Sequence, residues 1–132
     1  MVKITIQTDD KRQVVDITDL ISQELSKQKF KDGVCNLFVT HTTAAITTAD
    51  LDPGTDQDYL HAFSHLIPNL NYQHPHDPKH MPDHILSSLI GTSLNLPVEK
   101  GKLVLGTWQK VVLLEFDGPR ERTVILNLLQ SI

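Results

Sequence analysis

The sequence predicts an α+β fold with segregated strands and helices, on three observations. Apolar–polar alternation of the β type occupies both ends of the chain, at Val2–Ile6 and from Ser93 to Leu129. Helix-type spacing appears once near the start and then in two consecutive stretches with no strand between them. Separated runs of this kind argue against a doubly wound parallel sheet, which needs regular β–α alternation. The expected order is ββα-ββ-αα-βββ, mainly antiparallel, in a single domain over residues 1–132.

Each element has its own signal. Val2, Ile4 and Ile6 alternate with Lys3 and Thr5, which gives a first strand. Asp9-Asp10-Lys11 turns the chain into a second strand over Gln13–Ile17. Thr18 is placed to cap a helix that carries Leu20, Ile21 and Leu25 and stops near Lys31-Asp32-Gly33. Val34–Thr40 and Thr43–Thr48 are β-prone. Asp52-Pro53-Gly54 breaks the second of these, and Asp56–Leu66 then reads as a helix with Tyr59, Leu60 and Phe63 on one face. A polar loop, Pro68–Pro78, leads to a helix opened by Pro82 and closed by Gly91. Ser93–Val98, Lys102–Thr107, Lys110–Phe116 and Thr123–Leu129 complete a β-meander, with Asp117-Gly118-Pro119 as the turn of a terminal hairpin. Val111-Val112-Leu113-Leu114 is apolar on both faces, so both faces must be covered; in so small a chain a second subunit is one candidate cover.

Composition excludes several classes. The formal net charge of −4 argues against nucleic-acid binding through clustered basic residues. It leaves room for a small phosphorylated ligand, which needs only a few local donors. No apolar run approaches the length of a membrane span, and the N-terminus lacks the pattern of a signal peptide, so a cytoplasmic protein is expected. The single cysteine, Cys35, excludes an internal disulfide and a Cys-rich zinc site. Its apolar neighbours predict a buried small hydrophobe.

All seven histidines fall between His41 and His84, threaded with aspartates. Histidine is the commonest protein ligand for transition metals and titrates nearest neutral pH, so the cluster points to a metal or acid–base site. His41 ends a strand, where side chains leave a rigid sheet. His84 lies just inside the helix that Pro82 opens. His61 and His65, spaced i, i+4, are expected to face solvent from the preceding helix. His74-x-His76 points its rings to opposite faces if extended. No Walker or dinucleotide phosphate loop and no Gly-x-Ser-x-Gly elbow is present. Trp108, beside Gln109, is either a packing residue or a pocket wall.

These pieces resemble the YjbQ-like family, also labelled secondary thiamine-phosphate synthase. The resemblance is carried in order by His41-Thr42-Thr43-Ala44-Ala45-Ile46-Thr47, Asp52-Pro53, Tyr72-Gln73-His74, His84-Ile85, Gly91-Thr92-Ser93-Leu94, Pro97-Val98, Gly101-Lys102-Leu103, Gly106-Thr107-Trp108-Gln109 and Phe116-Asp117-Gly118-Pro119-Arg120. It implies a β-sandwich with helices, assembled as a homotrimer. It also implies a divalent metal, zinc above others, on His41, His74 and His84; the residues alone had pointed to His41 and His84, and the resemblance adds His74. Asp50 and Gln109 become the catalytic candidates. Thr92, Ser93, Trp108 and Arg120 become the candidates for holding a phosphorylated substrate. The implied chemistry is thiamine-phosphate synthase-like transfer; a metal-dependent phosphohydrolase and a non-catalytic metal- or anion-binding trimer are the alternatives. Where the family has Asn-Glu the chain has Ala49-Asp50, and where the family has Lys after His-Ile the chain has Leu86. The family's Gly after Trp-Gln is Lys110 here. The first two departures predict weak or absent synthase activity.

Overall fold

The computed structural model describes residues 1–132. The strands are β1 (Val2–Gln7), β2 (Gln13–Asp16), β3 (Gly33–Val39), β4 (Ala44–Ala49), β5 (Ser93–Glu99), β6 (Lys102–Leu103), β7 (Lys110–Glu115) and β8 (Glu121–Gln130). The helices are α1 (Thr18–Lys27), α2 (Thr55–Leu66) and α3 (Met81–Ile90), with a 3-10 turn at Pro78–His80. One sheet has the order β1-β8-β3-β5-β6 and the other β2-β7-β4, with every pairing antiparallel. The α+β class and the segregated order agree with the sequence; the four β runs read in the last third are all present, with Lys102–Thr107 reduced to the two residues of β6.

The molecule has three layers. Leu37, Val39 and Leu126 of the larger sheet meet Ile46, Val111 and Leu113 of the smaller one, and Ile21 and Leu25 of α1 join them. On the other face of the smaller sheet, Ala45, Val112, Leu114 and Phe116 pack with Leu86, Phe63 and Ile67 from α3, α2 and the residue after it. Period-2 alternation therefore sends successive residues of β7 into two different cores. The second cover of Val111–Leu114 is the chain's own helical layer, so this strand leaves no face for another subunit. Phe63 meets Phe116 edge-on at 5.8 Å between ring centroids, a favoured aromatic geometry.

Three local expectations are corrected. β7 and β8 are not a hairpin: they lie in different sheets, and the turn at Asp117–Arg120 carries the chain across the sandwich. A buried ion pair joins the strands at this crossing, with Arg122 against Glu115. Thr18 does not cap α1. The N-cap is Ile17, while Thr18 donates its hydroxyl to Asp16 Oδ1 at 2.6 Å and accepts from Val111 N at 2.9 Å, so it ties the helix to β7. Gly33 starts β3 rather than ending α1; a Cβ there would collide with the Leu129 carbonyl. Cys35 is fully buried, and burial pushes its thiol up to about 11, which suits a packing residue. No helix is long and apolar enough to cross a membrane.

Candidate functional site

The site grows from the place where β3 leaves its sheet. The β3–β8 ladder ends at Val39 opposite Val124, which leaves the next amide of β8, on Thr123, without a strand partner. The His41 ring takes over: Thr123 N–H donates to His41 Nε2 at 2.9 Å. The ring proton of neutral His41 therefore sits on Nδ1. Burial disfavours the charged ring, and the nearby Arg122 and Arg120 oppose it further against the weaker pull of Glu115. The His41 pKa lies below the ordinary histidine value.

His84 is fixed from the opposite side. α3 lies along β4, and Ser87, buried, donates to Ala44 O at 2.6 Å. One turn earlier, His84 Nδ1 donates to Thr42 O at 3.0 Å, so Nε2 of the neutral ring carries the lone pair. The His74 ring stacks on His84 with centroids 5.1 Å apart, and its Nδ1 accepts from Asp77 N at 3.3 Å. Phe38 to Thr42, Ser87, Ser88, Gly91 and Thr92 line an open groove of about 510 Å³; of the three histidines only His41 is in its lining, and His84 reaches its edge through the bond to Thr42 O. Hydroxyls of Thr40, Thr42, Ser88 and Thr92 share it with His41.

The three histidines thus reach one neighbourhood but do not form a ready metal set. His41 and His74 use their lone pairs on backbone N–H groups, and only His84 presents a nitrogen free to coordinate. No group of three or more His, Cys, Asp or Glu side chains is arranged to hold a metal ion. Four other candidates sit elsewhere. Gln109 accepts from Gly106 N at 2.8 Å and donates to Thr48 Oγ1 at 3.2 Å. Asp50 Oδ1 accepts from Asp52 N at 3.1 Å. Both close turns at the far end of β4, roughly 20 Å from Thr42 at strand rise. Trp108 is exposed beside Gln109. Arg120 is turned onto Asp117, donating from Nε to its carbonyl at 2.8 Å and from Nη2 to Oδ2 at 3.1 Å. Among the residues expected to hold phosphate, Thr92 lines the groove; Ser93 is the first residue of β5 and accepts a long 3.4 Å bond from Asn36 Nδ2.

Sequence reasoning missed the polar frame under the groove. Glu115 and Arg122 are fully buried; besides each other, they engage Thr8, Thr43 and the Asp117 amide. Burial alone would raise the Glu115 carboxyl, but hydrogen bonds from Arg122, Thr8 and Asp117 N prevail and hold it below the usual range. Asp83, beside His84 and buried, pairs with Arg12 at 2.8 Å and Lys11 at 3.4 Å. A charge closing an otherwise apolar strand, as in Leu114-Glu115-Phe116, was the available signal. Leu86 is also placed differently from expectation. It is fully buried against β7, so a lysine there would enter the core rather than the groove.

A family model described as "UPF0047 protein YjbQ-like" matches residues 2–131. The chain belongs to this family. A UPF0047 protein of Methanocaldococcus jannaschii is 40% identical over 128 residues, covering 96% of this chain and 92% of its own. The UPF0047 protein YugU of Bacillus subtilis is 34% identical over 131 residues, covering 96% of both chains. A solved structure of a hypothetical protein from Aeropyrum pernix K1 superposes with a TM-score of 0.91 at 34% identity, covering 98% of each chain. The YjbQ-like resemblance read from the motifs is therefore shown over nearly the whole chain, and the sandwich with helices is the family's fold.

Proposed function

We propose that the groove between His41 and α3 binds a small phosphorylated molecule without needing a metal. The carrying observation is the pattern of ring protons fixed by backbone partners. His41 offers an N–H at Nδ1, and His84 offers a bare Nε2 held in place by Thr42 O. An N–H donor ringed by hydroxyls suits phosphate oxygens, and a fixed imidazole nitrogen suits proton transfer. His84 would take or return the proton of a phosphate hydroxyl or an attacking nucleophile, while Thr92 and Ser88 orient the oxygens. Transferase chemistry of the thiamine-phosphate synthase kind rests on the family resemblance, and hydrolysis of a phosphate ester is the runner-up. Calorimetry with inorganic phosphate and a phosphate monoester tests the binding. His84→Ala should weaken both by about tenfold or more, the scale of one hydrogen bond to a charged group. Equal affinity in the variant removes His84 from the site.

A second reading, zinc at these histidines, is favoured by the close stacking of His74 on His84. It requires His41 and His74 to release the Thr123 and Asp77 amides. Zinc titration of protein stripped of metal tests it: binding that is lost in His84→Ala and in His74→Ala supports this reading, and zinc uptake unchanged in both opposes it. Self-assembly as a trimer also belongs to the proposal. Its support is the family resemblance, since β7 is covered within the chain. Sedimentation equilibrium decides it, with a monomer at micromolar concentration as the contrary result.

A further inference from the structure

We propose that the groove at the Gly33 end of β3 is a separate anion site that takes a nucleotide-sized organic polyphosphate. It is the largest concavity of the chain, about 760 Å³, within the range of roughly 300–1,000 Å³ typical of small-molecule pockets. Its floor and walls include Leu25, Phe30, Leu103 and Leu105, which suit a ring. Its rim carries Lys29, Lys31, Lys100 and Lys102, and no carboxylate lines it. Four of the twelve Lys and Arg side chains thus face one groove on a chain of net charge −4. None of the four has a carboxylate within ion-pair distance, unlike Lys11, Lys27 and all three arginines.

Simpler reasons do not account for the whole set. Lys29 and Lys31 follow the C-terminus of α1, where a helix favours cations. Lys100 lies on the β5–β6 turn, its amide donating to Asp32 Oδ1 at 3.0 Å, and Lys102 begins β6 opposite Glu99; neither has a helix end to serve. Lys29 and Lys100 are also the only non-glycine residues with positive φ, at 54° and 52°. That backbone region suits glycine or asparagine better than lysine, so both lysines stand where local conformation alone would select another residue. Ser22 and Ser26, four apart on α1, add hydroxyls along one wall. An apolar floor under a ring of unpaired ammonium groups is complementary to a flat ring joined to several phosphates. A single phosphate would leave most of the cations unused. β3 separates this groove from the histidines by roughly 20 Å, so the two sites are independent.

The test is calorimetry of the full chain with ATP, AMP and adenosine in magnesium-free buffer. ATP should bind more tightly than AMP, and adenosine should not bind detectably at ~1 mM. Lys100→Glu with Lys102→Glu should weaken ATP binding by at least about tenfold, and the Lys100→Gln, Lys102→Gln pair by less. All four substitutions are at exposed positions, and an unchanged thermal midpoint confirms folding. The same titrations in a His84→Ala background remove any contribution from the histidine groove, and there the ATP affinity and its loss in Lys100→Glu with Lys102→Glu should persist. Failure of ATP to bind at ~1 mM overturns the proposal, as does equal ATP affinity in both lysine double variants. Adenosine binding as tightly as ATP, or tighter binding of poly-glutamate than of ATP, overturns it too, the latter in favour of an acidic protein partner.

Discussion

At the Val39 end of β3 the side chains are held in place by protein partners, whereas at the Gly33 end four lysine ammonium groups have no ion-pair partner. His41 caps the Thr123 amide, His84 is anchored on Thr42, Ser87 is anchored on Ala44, and Arg122 bonds through Nε and Nη2 to Glu115 and Thr43. Around the other groove, four lysines hold no carboxylate. The first end is set before any ligand arrives, so binding there orders little and geometry can discriminate between ligands. The second end must immobilise long side chains at about 0.5–1.5 kcal/mol each, and its attraction is exposed to salt. The histidine end is thus suited to selecting one substrate and the lysine end to attracting charge.

The largest way to break this contrast is Arg122→Ala. It strands the Glu115 carboxylate in the core and releases Thr43 from beneath the groove. A loss of about 3–5 kcal/mol is expected in urea unfolding, with phosphate binding lost as well and ATP binding at the lysine groove kept in whatever fraction stays folded. Leu86→Lys comes next. It replaces a fully buried side chain with an ammonium and should cost on the order of 3 kcal/mol by the same measurement, with no gain in synthase activity. A stable variant with new turnover would mean that position 86 reaches the groove after all.

Ser87→Ala sharpens the comparison more gently. It leaves the buried Ala44 carbonyl without its side-chain donor at the point where α3 is pinned to β4. Unfolding should become easier by about 1–2 kcal/mol, and phosphate affinity should fall because His84 loses its fixed base. The smallest effect concerns pH. The folded pKa of His41 is lowered, so below the unfolded value of 6.5 the unfolded chain binds protons that the folded chain refuses. Stability is therefore full above that pH and declines as pH falls toward the folded pKa. His41→Gln should flatten this part of the profile while an amide oxygen still accepts from Thr123.

The sequence was most readable where periodicity and local signals coincide. Pro82 and Gly91 bracket α3, the alternation of Val2–Ile6 gives β1, and the two-faced Val111–Leu114 does lie between two cores. Reading failed where tertiary contacts decide. A Gly-Pro turn between two strands looks the same whether they pair or part, and here the strands enter different sheets. Thr18 has the right side chain for a cap, but the amide of Val111 competes for it. In the site, the motifs singled out His74 and His84, which stack, and His41 and Thr92, which line one groove. They could not show that backbone amides occupy the His41 and His74 lone pairs, because Thr123 is distant in sequence and Asp77 lies in the loop. Asp50 and Gln109 share a turn region remote from the histidines, which linear order alone does not reveal. The lysine groove was invisible because its halves lie about 70 residues apart in the chain.

The most direct test of the central claim is a phosphate titration of metal-free protein followed by calorimetry, with zinc added in a second series. Saturable binding without zinc, weakened about tenfold or more by His84→Ala and unaffected by Lys100→Glu with Lys102→Glu, is the result expected of a groove whose ring protons are fixed by the backbone. Binding that appears only after zinc is added, or that survives His84→Ala unchanged, would contradict it.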